Sequence, residues 1–374
     1  MLEKLKNLTA LGIANIATTV IAGLFWIYIA SIIEVDEYGE IGYTLSIATL
    51  IAGISLLGAK SSLTVFAARK ESIVRPLSLF IISVGILISM ITYMILIDFG
   101  VSIYVIGFII FSITNAELLG RKLYITYSKY LIIQRTLMVV LSLLLYYFFG
   151  YQFIILGIAI SFLPFSIKFY NLIKNNKVGL SKLKDKKQII LSNYVLEISG
   201  LLPGTLDRII IGPTFGFIIL GNYFLGLQVF MVLTIIPSAV YQYILPQDAS
   251  KTSTAKIKKV IIIISIIFAI LGFFLSPILI PAVLPKYSDA IEVIQIMSFV
   301  VIPTTINLIY ASKFIAELKS KIVIVGSIIF ISVQIAGLLS LIEYFGVNGL
   351  ALSLLIADSV VVIYYTIVHK YYRI

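Results

Sequence analysis

"SGLLPGTLDRIIIG", residues 199–212, sets Asp207 beside Arg208 in an apolar run, just behind Pro203 and Gly204. In water, two charges after a helix breaker need no explanation. In hydrocarbon each needs a partner or a cavity, because an Arg or Asp near the bilayer centre costs about 2.5–3.5 kcal/mol on insertion scales. The solvent of the whole chain decides between these readings. Of the 374 residues, 60% are hydrophobic and 12% charged, and the mean hydropathy is +1.11. A soluble domain carries about a quarter charged residues. No soluble core buries this much apolar side chain, so the sequence is that of a polytopic membrane protein.

Apolar runs of the roughly 20 residues a spanning helix needs lie near 8–33, 41–59, 77–97, 99–117, 131–149, 152–172, 189–209, 222–246, 260–284, 291–311, 321–341 and 349–368. The expected fold is all-α with about twelve transmembrane helices. The first run follows the basic start "MLEKLK" and is too long for a signal-peptide core, so it is read as a retained span. The run at 41–68 exceeds the length of one span, and Lys60 interrupts it. Of the 28 basic residues, all but Arg208 and Lys286 fall at the termini or on the even-numbered connections. That asymmetry places both termini in the cytoplasm of a cell-membrane protein. The net charge of +11 then reads as topology plus attraction to an anionic leaflet, not as nucleic-acid binding.

Chemistry that the composition excludes narrows the function. Cysteine is absent and His369 is the single histidine, which removes disulfides and thiolate or histidine zinc sites. There is no Walker-type nucleotide motif. The outer connections, such as "EVDEYGE" (34–40) and "PKYSDA" (285–290), are too short for an external catalytic domain. The expectation is a carrier without cofactor or metal, and not an enzyme.

The basic stretch "KNNKVGLSKLKDKK" (174–187) separates six spans from six. The expected organisation is an N-terminal six-helix lobe over 1–173, a cytoplasmic linker over 174–188 and a C-terminal six-helix lobe over 189–374. Setting "DEYGEIGY" at the start of span two on "FIILGNYF" at the start of span eight aligns Gly39 with Gly221, 182 residues apart. An even number of spans per half makes the halves parallel, with substrate expected between them near the midplane.

"LDRIIIGPTFGFIILGNYFLGLQVF" (206–230) resembles the seventh-to-eighth span signature of polysaccharide-export flippases, with its Asp-Arg pair, Ile-Gly and Gly-x-Tyr in order. "DEYGEIGYTLSIATLIAGISLLGA" (36–59), "PKYSDAIEVIQIMSF" and "YFGVNGLALSLLIADS" resemble the family's loops into spans two, ten and twelve. The likeness points to the oligosaccharide (Wzx-type) flippase branch of the superfamily that also holds MATE drug exporters and lipid II flippases. It implies a two-lobed MATE-like carrier turning polyprenyl-diphosphate-linked oligosaccharide, an O-antigen or capsule repeat unit, from the inner to the outer leaflet. Implied partners are that lipid-linked oligosaccharide, membrane lipids, a polysaccharide polymerase, and a proton or sodium ion.

Six charged residues in the spans are the candidates. At 100° per residue, Glu197, Gly200, Gly204 and Arg208 share one face of span seven, and Pro203 frees carbonyls there. Arg208 then faces a cavity, or it sits at the outer interface paired with Asp207 or with headgroups. Glu197 lies deeper and is read either as a proton carrier or as a neutral hydrogen-bonded acid. Asp358, mid-span in "LLIADSVVVIYY", is either an ion-coupling group or an interhelical hydrogen bond. Lys60 and Arg135 either snorkel to the interface or, as a pair at a cavity mouth, bind a diphosphate, Arg by bidentate contact and Lys as a point charge. An ion-coupled exporter of drugs or metabolites shares this topology but wants an acidic cavity. A membrane-embedded glycan polymerase wants the external domain that the loops leave no room for.

Overall fold

A computed structural model describes residues 2–175, 186–202, 204–250, 253–317 and 319–371. Pro203 and most of the 174–188 linker lie outside the described residues, and so do the expectations that rest on them. The described residues form helices and no strand: α1 Leu2–Ile32, α2 Val35–Ser55, α3 Ala59–Ala68, α4 Val74–Leu96, α5 Phe99–Gly120, α6 Tyr124–Phe149, α7 Ile154–Ile160, α8 Pro164–Asn175, α9 Lys187–Leu201, α10 Leu206–Phe215, α11 Phe217–Leu233, α12 Ile235–Ala249, α13 Ala255–Val283, α14 Ala290–Ala316, α15 Ser320–Phe345 and α16 Val347–Tyr371. Among the described residues nine segments are long and apolar enough to cross a membrane, and up to twelve if each of three bent helix pairs counts as one span. Helices are the expected answer because lipid offers no partner for an open backbone N–H or C=O. The protein is multi-pass, and every expected span has a counterpart, most starting a few residues before its hydropathy run.

The bent pairs are α2 with α3, α9 with α10, and α11 with α12. They are spans two, seven and eight. The first bends by 45° and the last by 48°.

Contacts divide the chain into two compact units that differ from the linker-centred halves. Unit 1 holds residues 1–22 and 43–205, and unit 2 holds 23–42 and 206–374. The division thus passes through spans one, two and seven. Within unit 1, α5 packs against α3, α4, α7 and α8. Small residues let its neighbours approach. A Cβ on Gly107 would lie 2.8 Å from the Phe162 ring, and one on Gly120 would lie 2.7 Å from the Ala67 Cβ. Within unit 2, α14 plays the same part against α11, α12, α13 and α16. α5 and α14 are both the fourth span of their six.

The Gly39–Gly221 register has a physical counterpart inside unit 2. A Cβ on Gly39 would overlap the Phe217 carbonyl oxygen, and a Cβ on Gly221 would overlap that of Val35. Val35 and Phe217 are themselves 182 residues apart. The contact is therefore reciprocal: each glycine presses on the residue four positions before the other.

Candidate functional site

Asp207 and Arg208, the pair in the opening stretch, both find neighbours within unit 2. Asp207 enters the first turn of α10, where the helix dipole favours an anion, and it is buried at 2% exposure. Its Oδ2 accepts hydrogen bonds from the Tyr223 hydroxyl at 2.6 Å and Gln334 Nε2 at 3.2 Å, and its Oδ1 accepts from the Arg208 backbone N–H at 2.8 Å. One carboxylate therefore ties α10 to α11 and α15. The Arg208 guanidinium lies over the Phe224 ring, 5.5 Å from its centroid. Phe224 belongs to an aromatic cluster with Trp26 at 5.4 Å and Tyr38 at 4.9 Å. Such a cation–π contact contributes about 0.5–2 kcal/mol, more where water is excluded.

Glu197 does not share a helix face with Arg208. α9 ends at Leu201 and α10 starts at Leu206, with Gly204 between them in the left-handed region at φ 74°, so the 100° periodicity does not carry across. Glu197 belongs to unit 1 and Arg208 to unit 2. The Glu197 Oε1 accepts the backbone N–H of Ser61 at 2.6 Å. Ser61 lies in the first turn of α3, where N–H groups have no partner within their own helix. The cap residue, Gly58, has no side chain to supply one, and the acid of α9 does so from outside. One turn earlier on α9, Asn193 Nδ2 donates to Ser62 Oγ at 3.0 Å. Gly58 makes room for this, since a Cβ there would lie 2.6 Å from the Tyr194 nitrogen. Lys60 is exposed and immediately precedes the residue that Glu197 holds.

Arg135 lies deeper in its helix than hydropathy implies. α6 starts at Tyr124, so Arg135 sits about 16 Å along it at ~1.5 Å per residue. It is half-buried, and its guanidinium donates to the Met138 sulfur at 3.4 Å. Among the described residues no carboxylate pairs with it, and no hydrogen bond joins it to Lys60.

Asp358 is buried at the middle of α16. Its Oδ2 accepts from Thr304 Oγ1 at 2.8 Å and its Oδ1 from Asn307 Nδ2 at 2.7 Å. Both donors come from α14, just past Pro303, a proline inside the helix. Asn307 Oδ1 is buried without a hydrogen bond. One position on, Thr305 Oγ1 and Ser265 Oγ are 2.7 Å apart, which brings in α13. Sequence reasoning missed Tyr223, Gln334, Thr304 and Asn307. Gln334 in "ISVQIAGLL" and Asn307 in "PTTINLIY" are isolated polar residues in apolar runs, the kind of signal that marked Asp358.

Two further features of unit 2 have no sequence signature. Asp248, beyond the membrane-crossing part of α12, accepts from Lys258 at 2.8 Å, Thr254 at 2.7 Å and Ser312 at 2.8 Å. Burial pushes its carboxyl up, but those hydrogen bonds outweigh it and hold the pKa below the ordinary value. An apolar groove of about 570 Å³ runs beside the bend of span eight, lined by Ile27, Val229, Leu233, Phe268 and Leu275 among others.

No protein-family model matches the chain, and no curated protein matches it. Solved structures do. A multidrug-resistance MATE family transporter of the MOP superfamily, in an inward-facing conformation, superposes with a TM-score of 0.73 at 13% identity, over 95% of this chain and 94% of that one. The lipid II flippase MurJ, in an inward closed conformation, gives 0.74 at 14% identity, over 96% and 87%. A MOP superfamily transporter from Pyrococcus furiosus, described as having a binding pocket of reverse polarity that suggests a different function, gives 0.62 at 15%, over 98% and 95%. The fold is MATE-like.

Proposed function

We propose that the chain is a flippase that carries a polyprenyl-diphosphate-linked oligosaccharide from the cytoplasmic to the outer leaflet by alternating access. One observation carries this reading. Arg135 is a half-buried cation well inside a spanning helix, and among the described residues no carboxylate neutralises it. An intramembrane cation without a counter-ion is costly, and an anionic cargo supplies the missing charge. The acids divide the other way: Asp207, Glu197 and Asp358 each accept hydrogen bonds from protein donors. That arrangement suits a cationic drug less well than a diphosphate. Lys60 and Arg208 are the further cations assigned to the headgroup. The apolar groove of unit 2 offers hydrocarbon-lined space for a lipid tail.

Coupling is assigned to Asp358. A carboxylate beside a buried carbonyl oxygen without a partner, Asn307 Oδ1, is a setting that a proton or a sodium ion completes. Transport with no coupling ion would be drawn forward by removal of product outside.

The test is flux of labelled lipid-linked oligosaccharide across proteoliposomes. Arg135→Met is expected to abolish it with the melting temperature unchanged, and Arg135→Lys to retain part of it, a point charge replacing a bidentate fork. Undiminished flux in Arg135→Met would mean that Arg135 snorkels and the cargo is not bound through it. Asp358→Asn is expected to remove the dependence of flux on the ion gradient. Flux that is insensitive to collapsing both proton and sodium gradients in the unaltered chain would leave product removal as the only drive.

A further inference from the structure

We propose that unit 1 carries a binding site for the phosphate headgroup of a membrane lipid, formed by two matching helix ends on its basic face. The sequence repeats Arg-Lys at 69–70 and 121–122, directly after α3 and α5. Both ends close in the same way. After α3, the Lys70 N–H bonds to Ala67 O at 3.1 Å and the Glu71 N–H to Phe66 O at 3.0 Å. After α5, the Lys122 N–H bonds to Leu119 O at 3.0 Å and the Leu123 N–H to Leu118 O at 2.9 Å. These are paired Schellman closures, whose pivot residue takes the left-handed conformation and is usually glycine. Here the pivots are Lys70 at φ 54° and Lys122 at φ 60°. A lysine stands twice where backbone energetics favour glycine.

The two ends meet. Gly120 crosses α3 so closely that a Cβ on it would lie 3.1 Å from the Ala68 nitrogen. Lys70, Lys122, Arg121 and Glu71 then border one cavity of about 550 Å³. The local acids are already engaged. Glu117 pairs with Arg121 at 2.7 Å, and Glu71 with Lys186 at 3.3 Å and Arg69 at 3.9 Å. Among the described residues no carboxylate pairs with Lys70 or Lys122, and both are exposed. Two unneutralised ammonium groups on one cavity, on the face that the positive-inside rule assigns to the cytoplasm, fit a phosphate held at the inner leaflet. The assignment does not depend on the cargo proposed above.

Replacing both pivots with glycine, Lys70→Gly with Lys122→Gly, separates binding from folding, because glycine removes the charge and relieves the backbone. The full-length protein in detergent would be titrated with dioleoyl phosphatidic acid and, separately, dioleoyl phosphatidylcholine, with bound lipid counted by native mass spectrometry. The expected result is phosphatidic acid binding weakened by about tenfold or more, phosphatidylcholine unchanged, and a melting temperature equal to or above that of the parent. Phosphatidic acid binding equal to the parent's would overturn the site. So would equal binding of phosphatidylcholine and phosphatidic acid by the unaltered protein. Displacement of phosphatidic acid by a polyprenyl diphosphate, but not by inorganic phosphate, would identify the cargo's own headgroup as the occupant; failure of both to displace it would identify a bilayer phospholipid.

Discussion

Spans two and eight bend by nearly the same angle, 45° and 48°, and reach it by different chemistry. The bend of span two runs through Leu57 and Gly58, both left-handed, at φ 49° and 74°. The helix that restarts there donates a first-turn N–H, that of Ser61, to Glu197 on α9. The bend of span eight occupies one residue, Thr234. The Thr234 hydroxyl turns back onto Phe230 O at 3.0 Å and Met231 O at 3.1 Å, and Pro237 sits in the first turn of α12, where its missing N–H has no intrahelical partner to lose. Among the described residues, one bend takes a hydrogen bond to another span, and the side-chain hydrogen bonds of the other stay within its own span. The two bends share an angle but not the chemistry that holds them. Glu197, left open by the sequence between a proton carrier and a hydrogen-bonded acid, accepts a backbone N–H of the neighbouring helix.

The contrast can be broken by substitution. Gly58→Ala should have the largest effect. An alanine in the left-handed region costs about 1–2 kcal/mol, and its Cβ would press on α9 backbone at 2.6 Å and 2.8 Å; thermal unfolding would show a loss beyond the backbone cost alone. Glu197→Leu comes next. It strands the Ser61 N–H, at about 1–3 kcal/mol. Glu197→Gln keeps an acceptor and should melt near the parent temperature. If Glu197→Gln is stable but inactive in transport, the carboxylate also works as a charge, and the contrast with span eight sharpens. Asn193→Ala should cost less, about 0.5–1.5 kcal/mol. Thr234→Val should cost least, at most about 0.5 kcal/mol, because the Phe230 carbonyl keeps the Thr234 N–H at 3.0 Å and hydroxyl back-bonding inside helices is close to neutral. A Thr234→Val loss as large as that of Glu197→Leu would erase the distinction.

Acid stability offers a finer test within unit 2. The Asp248 carboxyl is depressed when folded, so its contribution is present above the ordinary carboxylate pKa and is lost as pH falls through the lowered value. Asp248→Asn should flatten the acid limb of the melting-temperature profile and leave the neutral region with a constant offset.

Much of this architecture was legible in the sequence because lipid leaves few choices. Each apolar run has a helix or a bent helix pair as its counterpart, and the overlong run at 41–68, cut by Lys60, holds the α2–α3 bend. The break that the sequence assigned to Pro203 falls between Leu201 and Leu206, with Pro203 itself outside the described residues. The bend at Thr234 left no trace, since a threonine in an apolar run is compatible with an unbroken helix. The charged candidates were visible because charges are rare there, but their partners were not. Asp207 meets Gln334 across 127 residues and Glu197 meets Ser61 across 136, distances that no helical periodicity reports. The shared face drawn through Glu197 and Arg208 failed for the same reason: periodicity holds only while the helix does.

The crossing of Gly39 and Gly221 has a last consequence. A contact in which each glycine meets the residue four before its counterpart is isologous, the kind a symmetric pair of identical chains makes with itself. Each glycine therefore limits what the other's surroundings can become: a side chain at Gly39 displaces the Phe217 carbonyl, and one at Gly221 displaces that of Val35.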